Sequence, residues 1–243
     1  MSQLSLHDAI IVMPALNEAD VIASLVTAVA GLGVREIVVV DDCSSDQTAR
    51  AAEAVGATVI TLSEPLGAWG ATQTGLRYAV RKGAKLVITM DADGQHLPST
   101  LEALVRPIAE GTANVTIGCY PERASLARRV AWRWIKRTSG LSFSDVTSGL
   151  RAYDRWALRR LASWAATLID YQDVGILLLL LQHDLAIADV PVSMNRRRNG
   201  KSRIFRSWSV VGYYMVHTLL LGLVKRPRHW RRVNPTVAVG DRR

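Results

Sequence analysis

The chain has 243 residues, 49% of them hydrophobic, and a net charge of +9. That hydrophobic share excludes a largely disordered chain and allows one sizeable core. The excess of base points to an anionic partner: nucleic acid, anionic lipid or a phosphorylated substrate. Two cysteines, Cys43 and Cys119, lie far apart without metal-like spacing, which predicts a reduced, cytoplasmic protein. Residues 1–8 lack the basic-then-apolar pattern of a secretory leader.

Residues 9–13 form an apolar run ending at Pro14, the pattern of a buried strand. Residues 17–31 read as a helix, with Val21, Leu25 and Ala28 at helical spacing and Gly31 and Gly33 as stops. A β-branched strand at 36–40 ends at Asp41-Asp42, followed by a helix at 46–55 and a strand at 57–62. The alternation continues with a helix at 67–82, a strand at 86–90, a helix at 98–110 and a strand at 115–118. Apolar strands alternating with helices predict a parallel sheet covered on both faces.

After residue 120 the rhythm changes. Residues 124–137 predict a basic helix, 150–153 a strand, 174–183 a strongly apolar helix and 186–192 a last strand. A basic loop at 193–206 follows, then a stretch at 207–224 with no acidic or basic side chain apart from His217. The base gathers in residues 123–137, 196–206 and 225–243.

Three predicted strand ends carry polar clusters. The first is Asp91-Ala92-Asp93-Gly94-Gln95-His96. Ligands of parallel α/β sheets bind at the carboxyl ends of strands. Two carboxylates spaced i, i+2 on a turn can face one hard cation, Mg²⁺ or Mn²⁺, which in turn binds phosphates. Aspartates also form turns for purely structural reasons. The second cluster, Asp41-Asp42-Cys43-Ser44-Ser45-Asp46, offers Asp46 as a helix cap and leaves Asp41 or Asp42 to accept hydrogen bonds from a base or ribose. Pro14-Ala15-Leu16-Asn17-Glu18 is the third.

As patterns these three are Pro14-x-x-Asn17-Glu18, Asp41-Asp42-x-Ser44-x-Asp46-x-Thr48 and Asp91-Ala92-Asp93-x-Gln95-His96, and a glycine-rich segment, Gly67-x-x-Gly70-x-x-x-x-Gly75, lies between the last two. With Asp145-x-Thr147-Ser148-Gly149-x-Arg151 and Arg197-x-x-Gly200-x-Ser202-Arg203, their order resembles the inverting family 2 glycosyltransferases, in particular the polyprenyl-phosphate (dolichyl-phosphate) mannose synthase branch. The resemblance spans residues 8–206 and implies a GT-A fold: Rossmann-like, mostly parallel, with helices on both faces. It implies a metal site at Asp91, Asp93 and Gln95. The implied donor pocket holds a nucleotide sugar, GDP-mannose or a UDP-sugar, between Pro14, Asn17, Glu18, Asp41, Asp42, Gly67, Asp91, Ala92, Asp93, Gln95 and Arg197. A polyprenyl-phosphate acceptor would meet Arg128, Ser148, Arg151 and Lys201. The sequence departs from the branch at Cys119 and Trp132, where an arginine and a serine are usual, and in the lysine missing from residues 67–70.

The expected organisation is a transferase domain at 1–206, divided into a nucleotide-sugar half (1–118) and an acceptor half (119–206). An interfacial, membrane-facing helix and basic tail at 207–243 would hold it peripherally on the cytoplasmic face of a membrane, with room for a separate membrane-protein partner. A lipid phosphate is already an anion and needs no base; a sugar hydroxyl would need one, and Asp173 is its candidate, though its charge also suits the start of the helix at 174. On a helix Arg129, Arg133, Lys136 and Arg137 form one stripe suited to anionic headgroups or to solvent. Rival readings are a sugar nucleotidyltransferase, a dehydrogenase, a nucleic-acid-binding module and a non-catalytic nucleotide-sugar-binding scaffold. The first two lack their glycine-rich loop after the first strand, and no nucleic-acid recognition motif is present.

Overall fold

The computed structural model describes residues 4–120, 145, 148–169 and 174–195. Among these residues seven strands form one sheet: β1 (Ala9–Ala15), β2 (Glu36–Asp41), β3 (Thr58–Thr61), β4 (Leu86–Thr89), β5 (Val115–Cys119), β6 (Arg151–Asp154) and β7 (Ile187–Pro191). Their order is β3-β2-β1-β4-β6-β5-β7. The helices are α1 (Ala19–Ala30), α2 (Thr48–Glu53), α3 (Gly67–Arg81), α4 (Leu101–Ala109), α5 (Arg155–Leu161), α6 (Trp164–Thr167) and α7 (Val174–Gln182).

The period-2 alternation of the strands builds two cores. Ile10, Val12, Val38, Val40, Val87 and Tyr153 face α3, α5, α6 and α7. Ile11, Met13, Val39 and Ile88 face α1, α2 and α4. Each such buried aliphatic side chain contributes about 1.5–3 kcal/mol before its ordering entropy is counted. Gly75 lets α3 lie directly on the sheet: a Cβ there would stand 2.3 Å from Val12 Cγ1.

The sheet is mostly parallel, as expected; the exception is β6, which runs antiparallel to both β4 and β5. Its register pairs Thr89 with Arg151 and Leu86 with Asp154, so the chain enters β6 at the end where β4 leaves the sheet. That reversal delivers Ser148 and Gly149 to the same rim as Asp91. Helices α5 and α6 were not anticipated. Asp154 starts α5 by accepting from the N–H groups of Trp156 and Ala157, a cap hidden at the end of a strand.

Several boundaries also move. Asn17 sits at φ 53° and α1 begins at Ala19, while α2 is shortened to Thr48–Glu53. Residues Pro98–Thr100 form a 3₁₀ turn before α4. No helix among the described residues is long and apolar enough to cross a membrane. The expected basic helix at 124–137, the basic loop from 196 and the tail at 207–243 lie outside the described residues.

Candidate active site

The rim is assembled from the carboxyl ends of three adjacent strands, β2, β1 and β4. The loops after β1 and β2 are laced together by side chains. Asn17 accepts from the Ser45 backbone N–H at 2.8 Å and gives its own backbone N–H to Ser44 Oγ at 2.9 Å. The Glu18 N–H donates to Thr48 Oγ1 at 2.8 Å. Asp46 joins both helix starts, accepting from the Ala19 N–H at 3.2 Å with one oxygen and from the Thr48 N–H at 2.9 Å with the other, which the Thr48 hydroxyl also contacts. Partial burial pushes the Asp46 carboxyl up, but the bonds from Thr48 and Ala19 together outweigh it and hold the group below its ordinary range. Asn17 and Asp46 thus fix the loop. Pro14 lies opposite Val40 on the neighbouring strand.

The Asp41-Asp42 pair divides its roles. Asp42 Oδ1 accepts the Leu66 N–H at 2.6 Å, tying β2 to the start of α3, where Gly67 has φ +75°. Asp42 is therefore already engaged. Asp41 is 3% exposed, and its Oδ1 is buried without a hydrogen-bond partner. A buried carboxylate oxygen left unmatched is the kind of group that a bound hydroxyl or N–H satisfies.

At the end of β4, the Asp93 carboxylate accepts the Gln95 N–H at 3.1 Å, closing the Asp-x-Asp turn. Gly94 supplies the positive φ of +71° that this turn needs. Ala92 and Gln95 are buried beneath it. The Asp91 side chain is held from two sides and remains 47% exposed. His96 Nε2 lies 3.2 Å from Asp91 Oδ2. On the other side Gly149 packs so closely that a Cβ there would stand 2.3 Å from Asp91 Oδ1. His96 is 2% exposed, pairs as an antiparallel bridge with Met194, and its Nδ1 has no partner. The Gln95 carbonyl accepts the Asn195 N–H at 2.8 Å. Among the described residues no group of three or more His, Cys, Asp or Glu converges on a metal position. Carboxylate and amide oxygens are hard ligands in kind, and Mg²⁺ sites commonly combine one or two carboxylates with substrate phosphates and water.

Of the expected acceptor residues, the structure brings two to this rim. Ser148 is buried; its Oγ accepts from the Leu150 N–H at 3.3 Å and its carbonyl from Arg151 Nε at 2.9 Å. Arg151 is 0% exposed, so in this structure its guanidinium holds the loop that carries Gly149. Arg128, Asp173, Arg197 and Lys201 lie outside the described residues. Sequence reasoning gave His96 and Gly149 no individual role. Their importance arises from contacts with Met194 and Asp91 that spacing along the chain does not reveal.

Comparisons with known proteins bear on the family and the fold. The model of glycosyl transferase family 2 matches residues 10–162. An undecaprenyl-phosphate mannosyltransferase of Micrococcus luteus is 29% identical over 209 residues, covering 79% of this chain and 84% of the relative. An undecaprenyl-phosphate 4-deoxy-4-formamido-L-arabinose transferase of Klebsiella pneumoniae is 36% identical over 160 residues, 60% of this chain and 48% of that one. Among solved structures, glucosyl-3-phosphoglycerate synthase of Mycobacterium tuberculosis, in complex with Mn²⁺, uridine diphosphate and phosphoglyceric acid, aligns with a TM-score of 0.67 at 22% identity, over 92% of this chain and 80% of that chain. That likeness establishes the fold. The order of the motifs, the rim and the family match together make this chain a member of glycosyl transferase family 2, and a glycosyltransferase.

Proposed function

We propose that the enzyme transfers a sugar, with inversion, from a nucleotide-sugar donor to a polyprenyl-phosphate acceptor at a membrane surface. The observation that carries the donor half is the Asp91–Asp93 turn standing two strands from the unmatched, buried Asp41 oxygen. One end of a nucleotide sugar needs hydroxyl and base acceptors, the other needs its diphosphate neutralised. The rim offers residues for both ends. Relatives named for transfer to undecaprenyl phosphate support the acceptor half.

Asp91, Asp93 and Gln95 are the residues that would hold Mg²⁺ or Mn²⁺. The ion would supply charge neutralisation for the departing nucleoside diphosphate. Asp41 orients the donor by accepting from it. His96 and Gly149 fix the carboxylate of Asp91, so the site is preorganised rather than assembled on binding. The acceptor phosphate is an anion near neutral pH and attacks the anomeric carbon as the diphosphate leaves, which inverts the centre. No side chain has to remove a proton. Arg128 and Arg197, by resemblance, and Lys201, from the basic loop it shares with Arg197, are proposed phosphate contacts. GDP-mannose or a UDP-sugar is the proposed donor, and the cytoplasmic leaflet the proposed location.

A second reading assigns Asp173 as the base for a sugar hydroxyl, and a third leaves the chain as a binding scaffold without transfer. Calorimetry with Mn²⁺ and a nucleotide sugar tests the shared donor site. Asp93→Asn is expected to abolish metal-dependent binding while keeping the fold, and unchanged affinity would remove Asp93 from the site.

A further inference from the structure

Four large hydrophobic side chains are exposed among the described residues: Leu66 (56%), Trp156 (51%), Trp164 (73%) and Leu168 (72%). Single exposed apolar residues need no explanation. These are not scattered, because three belong to one segment, residues 156–168, and the fourth sits at the start of the helix to which that segment is fastened.

The fastening is unusually specific. Trp69 Nε1 donates to the Ala166 carbonyl at 3.0 Å, and Gln73 Nε2 to that of Leu161 at 2.9 Å. Arg77 donates to the Ala162 carbonyl at 3.2 Å and to Thr167 Oγ1 at 2.7 Å. Trp69 and Gln73 are themselves buried. Polar groups of α3 therefore satisfy the backbone of α5 and α6, and hold Trp164 and Leu168 outward on a rigid support. That support begins at the donor rim, where the Leu66 N–H meets Asp42.

The segment itself is basic: residues 155–169 contain Arg155, Arg159 and Arg160 and no acid, flanked by Asp154, which is engaged as the cap of α5, and by Asp170. The guanidinium groups of Arg155 and Arg159 lie 4.6 and 5.8 Å from the centre of the Trp156 ring. Tryptophan beside arginine, over an apolar edge, suits the boundary between headgroups and acyl chains. A cytosolic acidic protein would match the arginines but leave Trp164 and Leu168 without an apolar counterpart.

We infer that the outward side of α5 and α6, with Trp156, Trp164, Leu168 and Arg155, Arg159 and Arg160, is a docking surface for an anionic lipid bilayer. Docked there, α3 carries the contact directly to the donor rim. The inference rests on the polyprenyl-phosphate reading for its purpose, but its test needs neither donor nor acceptor. Partition of the full chain is measured by flotation on phosphatidylcholine vesicles with and without phosphatidylglycerol. Trp164→Ala with Leu168→Ala is expected to weaken partition on both vesicle types by about tenfold or more. Changing Arg155, Arg159 and Arg160 to Gln is expected to weaken it by a similar order, and only on the anionic vesicles.

All the changed side chains are exposed, so circular dichroism and Tm should stay native. Unchanged partition in both variants overturns the proposal. A changed Tm, or a changed mass by light scattering, with partition intact also overturns it, by showing that the face covers another part of this chain or a second copy. Activity then separates the two readings. The Trp164/Leu168 variant is expected to match wild type on a short, water-soluble isoprenyl phosphate and to fall about tenfold on the vesicle-borne acceptor, in step with its partition; equal rates on both overturn the proposal. Wild-type protein that turns over neither acceptor rejects the acceptor reading, while the vesicle result still decides the docking surface.

Discussion

Gly149→Ala probes the rim with the smallest possible change. The new Cβ would stand 2.3 and 2.5 Å from the two carboxylate oxygens of Asp91 and 2.6 Å from its Cγ. Non-bonded carbon contacts sit near 3.5–4.0 Å, so the carboxylate must retreat by about 1 Å. Asp91 is half exposed and can swing outward, which keeps the loss of stability at the low end of the roughly 1–3 kcal/mol typical of overpacking. Swinging breaks the 3.2 Å contact with His96 and removes a proposed ligand from its position. A 1 Å misplacement costs on the order of 100-fold in rate. The assay pairs Mn²⁺ affinity, followed by electron paramagnetic resonance with nucleoside diphosphate present, with turnover and Tm. Loss of affinity and rate at a near-native Tm is expected. Native affinity and rate in Gly149→Ala would show that the position of Asp91 does not matter.

Other predictions address the rest of the account. Gly75→Ala drives a Cβ against Val12 Cγ1 at the α3–sheet contact and should lower stability by about 1–3 kcal/mol in urea unfolding, with donor affinity per folded molecule retained. Trp69→Phe loses one buried bond to the Ala166 carbonyl and should cost about 0.5–1.5 kcal/mol by the same measurement, plus the penalty of the stranded carbonyl. Asp173→Asn should retain activity within about tenfold on a lipid phosphate, whereas a thousandfold fall in a well-folded mutant identifies a hydroxyl acceptor and Asp173 as its base. Asp46 is held below its ordinary carboxyl range in the folded state, so its contribution is present above the unfolded value near 3.8 and is lost as pH falls through the depressed folded value; acid titration of Asp46→Asn should show less loss of stability in that window than wild type. Burial first, then the carboxylates Asp189 and Asp145, push the Cys119 thiol up to about 11, so alkylation near neutral pH should spare it.

The nucleotide half was legible because its signals are local. Apolar runs such as 36–40 end in acidic turns, and each turn is readable from its own residues. The loop lacing was only half legible: Asp46 accepts the Thr48 N–H from one residue ahead of the cap position at Gln47, and it also fastens the neighbouring helix through Ala19, a contact across 27 positions. The antiparallel β6 could not be read, since a four-residue strand carries no mark of its direction. That direction is what sets Gly149 against Asp91. Helices α5 and α6 were hidden because Trp156, Trp164 and Leu168 face outward, which spoils the apolar periodicity that announces a helix.

Transfer to a lipid phosphate is decided by the identity of the product. Purified enzyme is supplied with Mn²⁺, polyprenyl phosphate in vesicles and a panel of GDP- and UDP-sugars labelled in the sugar. The account predicts that one donor passes its label into organic-extractable, mild-acid-labile glycosyl phosphate of inverted anomeric configuration, with one nucleoside diphosphate released per sugar and loss of the product in Asp93→Asn. Label appearing only on a hydroxyl acceptor, or no diphosphate release with any donor, would contradict it.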